Sequence, residues 1–426
     1  MSVVRIGLLG FGNVGRAVAR AADATRGELR ARGLDAGVTC ALVRDVTRAR
    51  PAAAPAPPLV DDVEAFFARD HDVVVEVLGG VEPARTLVAR ALDRGIPVVT
   101  ANKSLLAAHG PSLHALATDR GASLRYEASA LAGVPFIDTL ARRPLVASVS
   151  RLTAILNGTS HFVVSAMDRD RLPFADALAR AQALGLAEPD PANDIRGADA
   201  AEKLVLLGAL VGAPGLRPDA FESTGIDLLE PEDLPAARRL GGVIKPVACA
   251  AFAREAVRAF VGPAFVDNAH PLARLDGRLS GIRLEGPYTG DLFFSGPGAG
   301  PDVTAATLLD DVVETVTAAR RGSGNGAHGL AGDAETRHAA RTVAAPVTPW
   351  FTRVRFPDAP NPVFVAELLG AHGVWLRRHD RPVSDRDRGV WYALAEPCPR
   401  PRIERALAAL EAATGAATCA IRALES

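Results

Sequence analysis

Lysine occurs at three positions in this chain, Lys103, Lys203 and Lys245, and the other strongly basic side chains are arginines. The two cations do different work. Guanidinium is planar and keeps its proton, whereas the lysine ammonium is a compact charge whose pKa moves on burial. A chain that uses arginine almost everywhere keeps lysine where a point charge or a transferable proton is wanted. Lys203 lies in "GADAAEKLVLLGAL", a helical pattern that puts Asp199 four residues earlier on the same face, with the acid toward the N-terminus. On an exposed helix such a pair is worth little. This face runs into "LVLLGAL", which reads as buried, and a buried pair of this kind is a candidate acid–base site. Glu188, Asp190 and Asp194 precede it closely. Lys103 follows the apolar run "IPVVTA", where the carboxyl end of a parallel strand would border a ligand crevice. Lys245, in "GGVIKPVACA", has no such neighbours and reads as structural.

A second set of residues reads as a cofactor loop. Gly10, Gly12 and Gly15 form GxGxxG between the strand-like run at 3–9 and the helical "NVGRAVARAAD", with Phe11, Asn13 and Val14 filling the loop. The first glycine permits a tight turn, the second admits a pyrophosphate, and the third lets helix and strand pack closely. The helix N-terminus then offers amide donors to the phosphates. After the second strand stand Arg44 and Asp45. An acid there would hold a ribose hydroxyl and an arginine would receive the 2′-phosphate of NADP. Arg44 comes first after the apolar run, which favours NADP over NAD.

These groups need a scaffold, and the pattern around them supplies one. Apolar, β-branched runs at 38–43, 72–78, 96–101 and 123–128 alternate with helical stretches, which predicts βαβ units and a parallel sheet covered on both faces. Residues 148–301 mix strand and helix patterns, and "VTAATLLDDVVETVTAARR" returns as a helix at about 302–320. The Gly- and Ser-rich "RGSGNGAHGLAGDAE" reads as a flexible linker within 321–345. The remainder follows the order βαββαβ, a ferredoxin-like small domain. The predicted class is α/β: a Rossmann-type dinucleotide-binding domain at 1–147 that includes the returning helix, an α+β substrate-binding and dimerisation domain at 148–301, the linker, and the small domain at 346–426. Such a linker predicts that residues 340–426 can be removed from a folded, dinucleotide-binding enzyme. Basic and acidic residues nearly balance, at 48 and 49. That balance gives no basic footprint for nucleic acid or anionic lipid, so a small molecule is the expected partner. The four cysteines are scattered without CxxC spacing, which fits reduced thiols in a cytoplasmic protein. Neither a secretory signal nor a membrane span is expected from the apolar runs.

Taken together, these segments resemble the homoserine dehydrogenase family. "GLLGFGNVG", "VVTANKSLLAAHG", "YEASALAGVPFI", "ILNGTSHF", "AQALGLAEPDPANDIRGADAAEKL", "HPLA" and "GPGAGPDVTAA" stand in that family's order and spacing, and the tail resembles an ACT domain, an amino-acid-sensing module. The resemblance implies interconversion of L-aspartate 4-semialdehyde and L-homoserine with NAD(P)H, on the route to threonine and methionine, by a homodimer. It matches Lys103 and Lys203 to the family's two catalytic lysines and Glu188, Asp194 and Asp199 to its acids. Thr159 falls in the substrate segment and Gly298 in a cofactor-side loop. Glu127, with the carbonyls of Ala130 and Ala132, matches a site for a structural monovalent cation, sodium or potassium. Hydride arriving at an aldehyde carbon leaves charge on oxygen, which a nearby ammonium can both stabilise and protonate. In this reading Asp199 orients Lys203, and Glu188 accepts hydrogen bonds from the substrate ammonium. The chain departs from the family at Leu186 and Ala192, beside the substrate acids, and at Asn361, where an ACT domain has glycine. The first two departures leave room for a related amino-acid semialdehyde as substrate. The third predicts weak inhibition by threonine or none. A non-catalytic nucleotide-binding sensor is a third reading, against which both lysines and all three acids speak.

Overall fold

The computed structural model describes residues 3–31, 33–49, 56–141, 148–211, 216–253, 256–288, 290–321, 341–342, 347–357, 362–380 and 389–424. The first sheet is wholly parallel. Its strands are β1 (Val3–Leu9), β2 (Asp35–Leu42), β3 (Leu59–Val60), β4 (Val73–Glu76), β5 (Val98–Thr100) and β6 (Leu124–Arg125), in the order β3-β2-β1-β4-β5-β6. Every residue of β4 is buried, as expected for its valine run when both faces of a sheet are covered, and the strand ends in Glu76. The covering helices are α1 (Asn13–Ala24), α2 (Arg26–Ala31), α3 (Val63–Phe67), α4 (Ala84–Asp93) and α5 (Lys103–Asp119). The strand order reverses between β1 and β4, which opens a crevice at their carboxyl ends.

The run at 123–128 forms less strand than its pattern predicts. It pairs only at Leu124–Arg125, and Glu127–Ser129 turn as a 3-10 helix. The cause is Glu127, which faces inward: its carboxylate accepts the amides of Phe136 and Ile137, each at 2.9 Å, and of Asp138 at 2.8 Å. Those bonds satisfy the start of the short helix α6 (Ile137–Ala141).

The second sheet joins β7 (Arg151–Ile155), β9 (Gly242–Ala253), β10 (Ala256–Asp267), β11 (Leu279–Gly286) and β12 (Gly290–Pro297) to four strands of the tail, in the order β12-β11-β7-β9-β10-β17-β14-β16-β15. The tail strands are β14 (Thr348–Arg355), β15 (Leu376–Asp380), β16 (Val390–Cys398) and β17 (Ala417–Leu424), and two short strands, β8 (Glu222–Ser223) and β13 (Arg341–Thr342), pair with β10. The helices of this half are α7 (Gly158–Asp170), α8 (Phe174–Ala183), α9 (Ala192–Ile195), α10 (Ala198–Leu210) and α11 (Asp233–Arg239). The long α12 (Pro301–Arg320) returns to the first sheet, where Ala305, Leu308 and Val312 share a core with Ala17 and Val18 of α1.

With α13 (Pro362–Ala371) and α14 (Arg400–Thr414), the tail has the element order βαββαβ. Alternation decides its two faces. Trp350, Val354 and Trp391 pack with Val365, Leu369, Ile403 and Leu407 of the tail's own helices, whereas Phe351, Tyr392, Leu394 and Ile421 join Val163, Leu234 and Phe265 from the preceding half. β17 pairs in parallel with β10 from Ala264↔Arg422 to Val266↔Leu424. The severable tail expected from the linker therefore shares a sheet and a core with the rest of the protein. Most of that linker, and Asn361, lie outside the described residues.

Candidate active site

The three glycines of the first loop meet three different steric demands. Gly10 has φ +106°, and a Cβ there would sit 2.9 Å from the Val77 carbonyl oxygen. A Cβ on Gly15 would sit 2.4 Å from the Gly10 carbonyl oxygen, whereas one on Gly12 would meet nothing within 4 Å. The middle glycine thus leaves open space where the other two close the turn, the division of labour that a pyrophosphate cradle needs. Gly12 caps α1 without a side chain, so the first amides of α1 have no side-chain acceptor there. Asn13 is exposed and accepts from Arg16 at 2.7 Å; Val14 is half-buried, and Phe11 is buried in the core. Arg44 is exposed just past β2, and the Asp45 carboxylate accepts from the Thr47 amide at 2.7 Å and its hydroxyl at 2.6 Å.

Across the crevice, α5 starts at Lys103 because Asn102 caps it. The Asn102 side-chain oxygen accepts from the Leu105 amide at 3.0 Å, and its nitrogen donates to the Gly80 carbonyl at 2.7 Å and to Glu76 at 3.3 Å. Glu76, fully buried at the end of β4, also accepts from Thr100 at 2.5 Å. Burial pushes its carboxyl up, against the hydrogen bonds from Thr100, Leu78 and Asn102. α10 brings the opposing charges. Gly197 precedes it at φ +83°, where a Cβ would press on Ser223 and Val261 at 2.9 Å, and Asp199 occupies the first helical turn, where partial positive charge favours an anion.

Asp199 is the hub. Lys203 Nζ lies 3.0 Å from one of its oxygens and Lys103 Nζ 3.2 Å from the other, and Asn157 donates to it at 2.9 Å. Burial alone would raise the Asp199 carboxyl; the charges of Lys203 and Lys103 and the Asn157 bond overcome that and hold it down at about 2. Lys203 also donates to the Leu156 carbonyl at 2.8 Å. Asp194 is bridged to the hub by the same Asn157 nitrogen, at 2.7 Å. Burial raises its carboxyl, and the neighbouring Asp199 charge adds to the rise. Lys103 further contacts Glu202 at 3.4 Å.

Of the residues singled out in the sequence, Lys103, Lys203, Asp199 and Asp194 therefore meet in one charge cluster. Thr159 stands beside it on α7 and donates to the Leu186 carbonyl at 2.8 Å. Glu188 is exposed, and the bonds of the cluster do not reach it; Gln182 donates to its backbone carbonyl. Gly298 is buried with its carbonyl on the Ala132 amide at 3.2 Å, and Ser280 occupies the space a side chain would take. The Ala132 carbonyl accepts from the Thr307 hydroxyl. Lys245 is buried, donating to the Leu275 carbonyl at 2.6 Å and lying 3.3 Å from His161. Sequence reasoning missed Asn157, Glu76 and Glu202. The first was readable: asparagine before "GTSHF" is an N-cap, and its oxygen does accept from the Ser160 amide at 2.7 Å, which leaves its nitrogen for the acids.

Comparison with known proteins points the same way. A family model described as homoserine dehydrogenase matches residues 135–313, and one described as the homoserine dehydrogenase NAD-binding domain matches residues 10–127. A homoserine dehydrogenase of Mycobacterium tuberculosis is 37% identical over 399 residues, 91% of this chain and 87% of that protein. The crystal structure of a homoserine dehydrogenase from Thiobacillus denitrificans superposes with a TM-score of 0.87 at 28% identity, covering 100% of this chain and 99% of that one. A hyperthermophilic archaeal homoserine dehydrogenase in complex with NADPH superposes with a TM-score of 0.62 at 25% identity, over 74% of this chain and 98% of that one.

Proposed function

The chain belongs to the homoserine dehydrogenase family, and we propose that its Lys203, Lys103 and Asp199 carry the NAD(P)-dependent interconversion of L-aspartate 4-semialdehyde and L-homoserine. The single observation behind this assignment is the shared carboxylate: one buried acid fixes two ammonium groups that come from the two halves of the fold. When bound, the reduced nicotinamide supplies a hydride to the aldehyde carbon. The oxygen then gains negative charge. Lys203 has three N–H donors, of which one serves Asp199 and one the Leu156 carbonyl. The third has no such partner among the described residues and is the proton delivered to the oxygen; in the reverse direction the same nitrogen, once neutral, takes the hydroxyl proton. Lys103 contributes fixed positive charge at the carboxyl end of β5, and Asp194, Thr159 and the exposed Glu188 bind the amino-acid end of the substrate.

Gly10, Gly12, Gly15, and the backbone of Phe11, Asn13 and Val14 would hold the pyrophosphate. Arg44 would receive a 2′-phosphate, since Asp45 is turned onto its own loop, and NADP is the cofactor this favours. A monovalent cation beside Glu127 fits the same reading. Three of the roughly four lone-pair positions of that carboxylate are taken by amides, which leaves about one for the ion. The family resemblance supports a cytoplasmic homodimer, and the edge strand β12 exposes Phe293, a flank suited to a second copy; no helix of the described residues is long and apolar enough to cross a membrane. The βαββαβ tail, with helices on one face, supports an ACT-like module.

The test follows NAD(P)H absorbance with homoserine and with other hydroxy amino acids, in the wild type and in Asp199→Ala. Homoserine should be preferred, and the variant should lose turnover by about 10²-fold or more, the scale of a general acid–base contribution, while still quenching NADPH fluorescence. Full turnover in Asp199→Ala would reject the shared-acid site.

A further inference from the structure

Asp199 and Lys203 account for two positions of the α10 face that meets α5, and a third position on that face has no role in the mechanism above. Glu202 stands three residues after Asp199 and one before Lys203. Its carboxylate lies 3.4 Å from Lys103 Nζ and accepts the Ser104 hydroxyl at 3.0 Å. Lys103 is thus held between carboxylates from successive places on one helix, with Asp199 at 3.2 Å. Ser104 is the residue next to Lys103, so a single acid grips both the ammonium and the first turn of the helix that carries it. We propose that Glu202 is a positioning residue, which aims the Lys103 ammonium into the crevice and keeps it charged through the working pH range.

This inference rests on the assignment of Lys103 to the site, and it explains why two lysines are present rather than one. Lys203 pairs with Asp199 and leans on the Leu156 carbonyl. Lys103 has two acids. Burial would lower its pKa, but the charges of Asp199 and Glu202 outweigh burial and raise it, so it behaves as a fixed charge. The charged groups near Lys103 are Asp199, Glu202 and Lys203 from α10, Asp194 from α9 behind Asn157, and the buried Glu76 behind Asn102. Among the described residues, only Glu202 pairs with Lys103 and not with Lys203. At 37% side-chain exposure it is also the most solvated partner, so its removal should subtract a moderate, local effect and leave the fold intact.

The presence of only three lysines makes the charge on each directly observable. In protein labelled with ¹³C at lysine Cε, the Lys103 signal is assigned from its loss in Lys103→Arg and titrated in the wild type and in Glu202→Gln. Glutamine keeps the size and the capacity to accept from Ser104, and removes the charge. The Lys103 midpoint should move down by about 0.5 to 1 pH unit, the lower end of the shift from one opposite charge within about 4 Å, with the Lys203 and Lys245 signals in place. The alkaline limb of kcat/KM for homoserine should move down with it, and Glu202→Asp should restore part of the displacement. A purely structural contact would lower Tm or scale activity at every pH without moving the limb. Superimposable Lys103 titrations in wild type and Glu202→Gln overturn the proposal. Full turnover in Lys103→Ala would remove the site assignment beneath it, a failure separable from the first because the titration is read without activity.

Discussion

Two buried clusters of charge, one at the crevice and one at the seam between the central half and the tail, are built from different cations. At the crevice the cations are Lys103 and Lys203. At the seam they are arginines: Arg353 donates to Asp233 at 2.5 Å and lies 3.2 Å from Glu230, and Arg422 reaches Glu222 at 2.8 Å while its guanidinium lies over the rings of Phe260 and Trp350; at the exposed rim Arg378 donates to the Leu240 carbonyl at 2.8 Å. Guanidinium suits the seam because it stacks on aromatics and presents a rigid fork to carboxylates, without any need to release a proton. Burial pushes Arg422 down only to about 10, so it stays charged at neutral pH. The crevice needs the opposite property, one compact donor whose proton can leave. In the proposed mechanism the contrast separates charges that hold geometry from charges that take part in chemistry, and it predicts different failures for the two.

The largest effect should come from removing the seam altogether. Deleting residues 347–426 would strip β17 from β10, take Phe351 off Phe265, where the rings stack with centroids 5.9 Å apart, and remove Arg353 from Asp233. Each exposed apolar side chain of this size costs about 1.5–3 kcal/mol, against a typical total stability of about 5–15 kcal/mol. The truncated chain should be insoluble or lack a cooperative thermal transition. A soluble fragment with the Tm of the full chain would show that the seam is a late addition and not part of one core.

Exchanging the cations sharpens the contrast further. Lys203→Arg keeps the charge and loses the transferable proton, so kcat should fall by about 10²- to 10⁴-fold with NADPH binding retained. Arg353→Lys keeps the charge and loses the fork. It should lower stability by about 2–3 kcal/mol, the scale of a hydrogen bond to a charged group, read as a fall in Tm, with kcat per folded molecule little changed. Equal activity in Lys203→Arg, or equal Tm in Arg353→Lys, would break the distinction at that cluster.

The readability of the two regions from sequence differs for a physical reason. The crevice is written locally: GxGxxG, the N-cap asparagines and the i, i+4 spacing of Asp199 and Lys203 each lie within one turn or helix, so their geometry follows from short-range rules. The seam is written across distance. Arg353 meets a carboxylate 120 residues earlier and Arg422 one 200 residues earlier, and neither pairing leaves a mark in the local pattern. The Gly-rich linker pointed toward a separable tail because flexible composition reports on the connecting chain and is silent about which faces dock. Glu202 was passed over for a related reason: its helix spacing is legible, but its partners Lys103 and Ser104 sit on another element, and only the packing of α10 on α5 reveals them.

The smallest expected effect extends the same rule from the protein's own carboxylates to a ligand. Arg44 is an exposed arginine at the end of β2, beside an acid already engaged by its own loop. If arginine is retained where a planar fork must match an anion, Arg44 belongs with the seam arginines in kind, although it is exposed to solvent and would face a phosphate of the cofactor. Arg44→Ala should then weaken NADP(H) binding by about 1.5–3 kcal/mol, the range of a charge-assisted hydrogen bond, and leave NAD(H) nearly unchanged. Arg44→Lys should recover only part of that loss, because a point charge restores attraction to the 2′-phosphate without the paired donors. Because the site is exposed, the difference should shrink as salt is raised, with a screening length of about 8 Å at physiological ionic strength. Measured by fluorescence titration with both cofactors at two salt concentrations, an equal loss for NADP(H) and NAD(H) would exclude Arg44 as the phosphate contact. Full recovery by lysine would show that charge alone, and not the shape of guanidinium, is what this position requires.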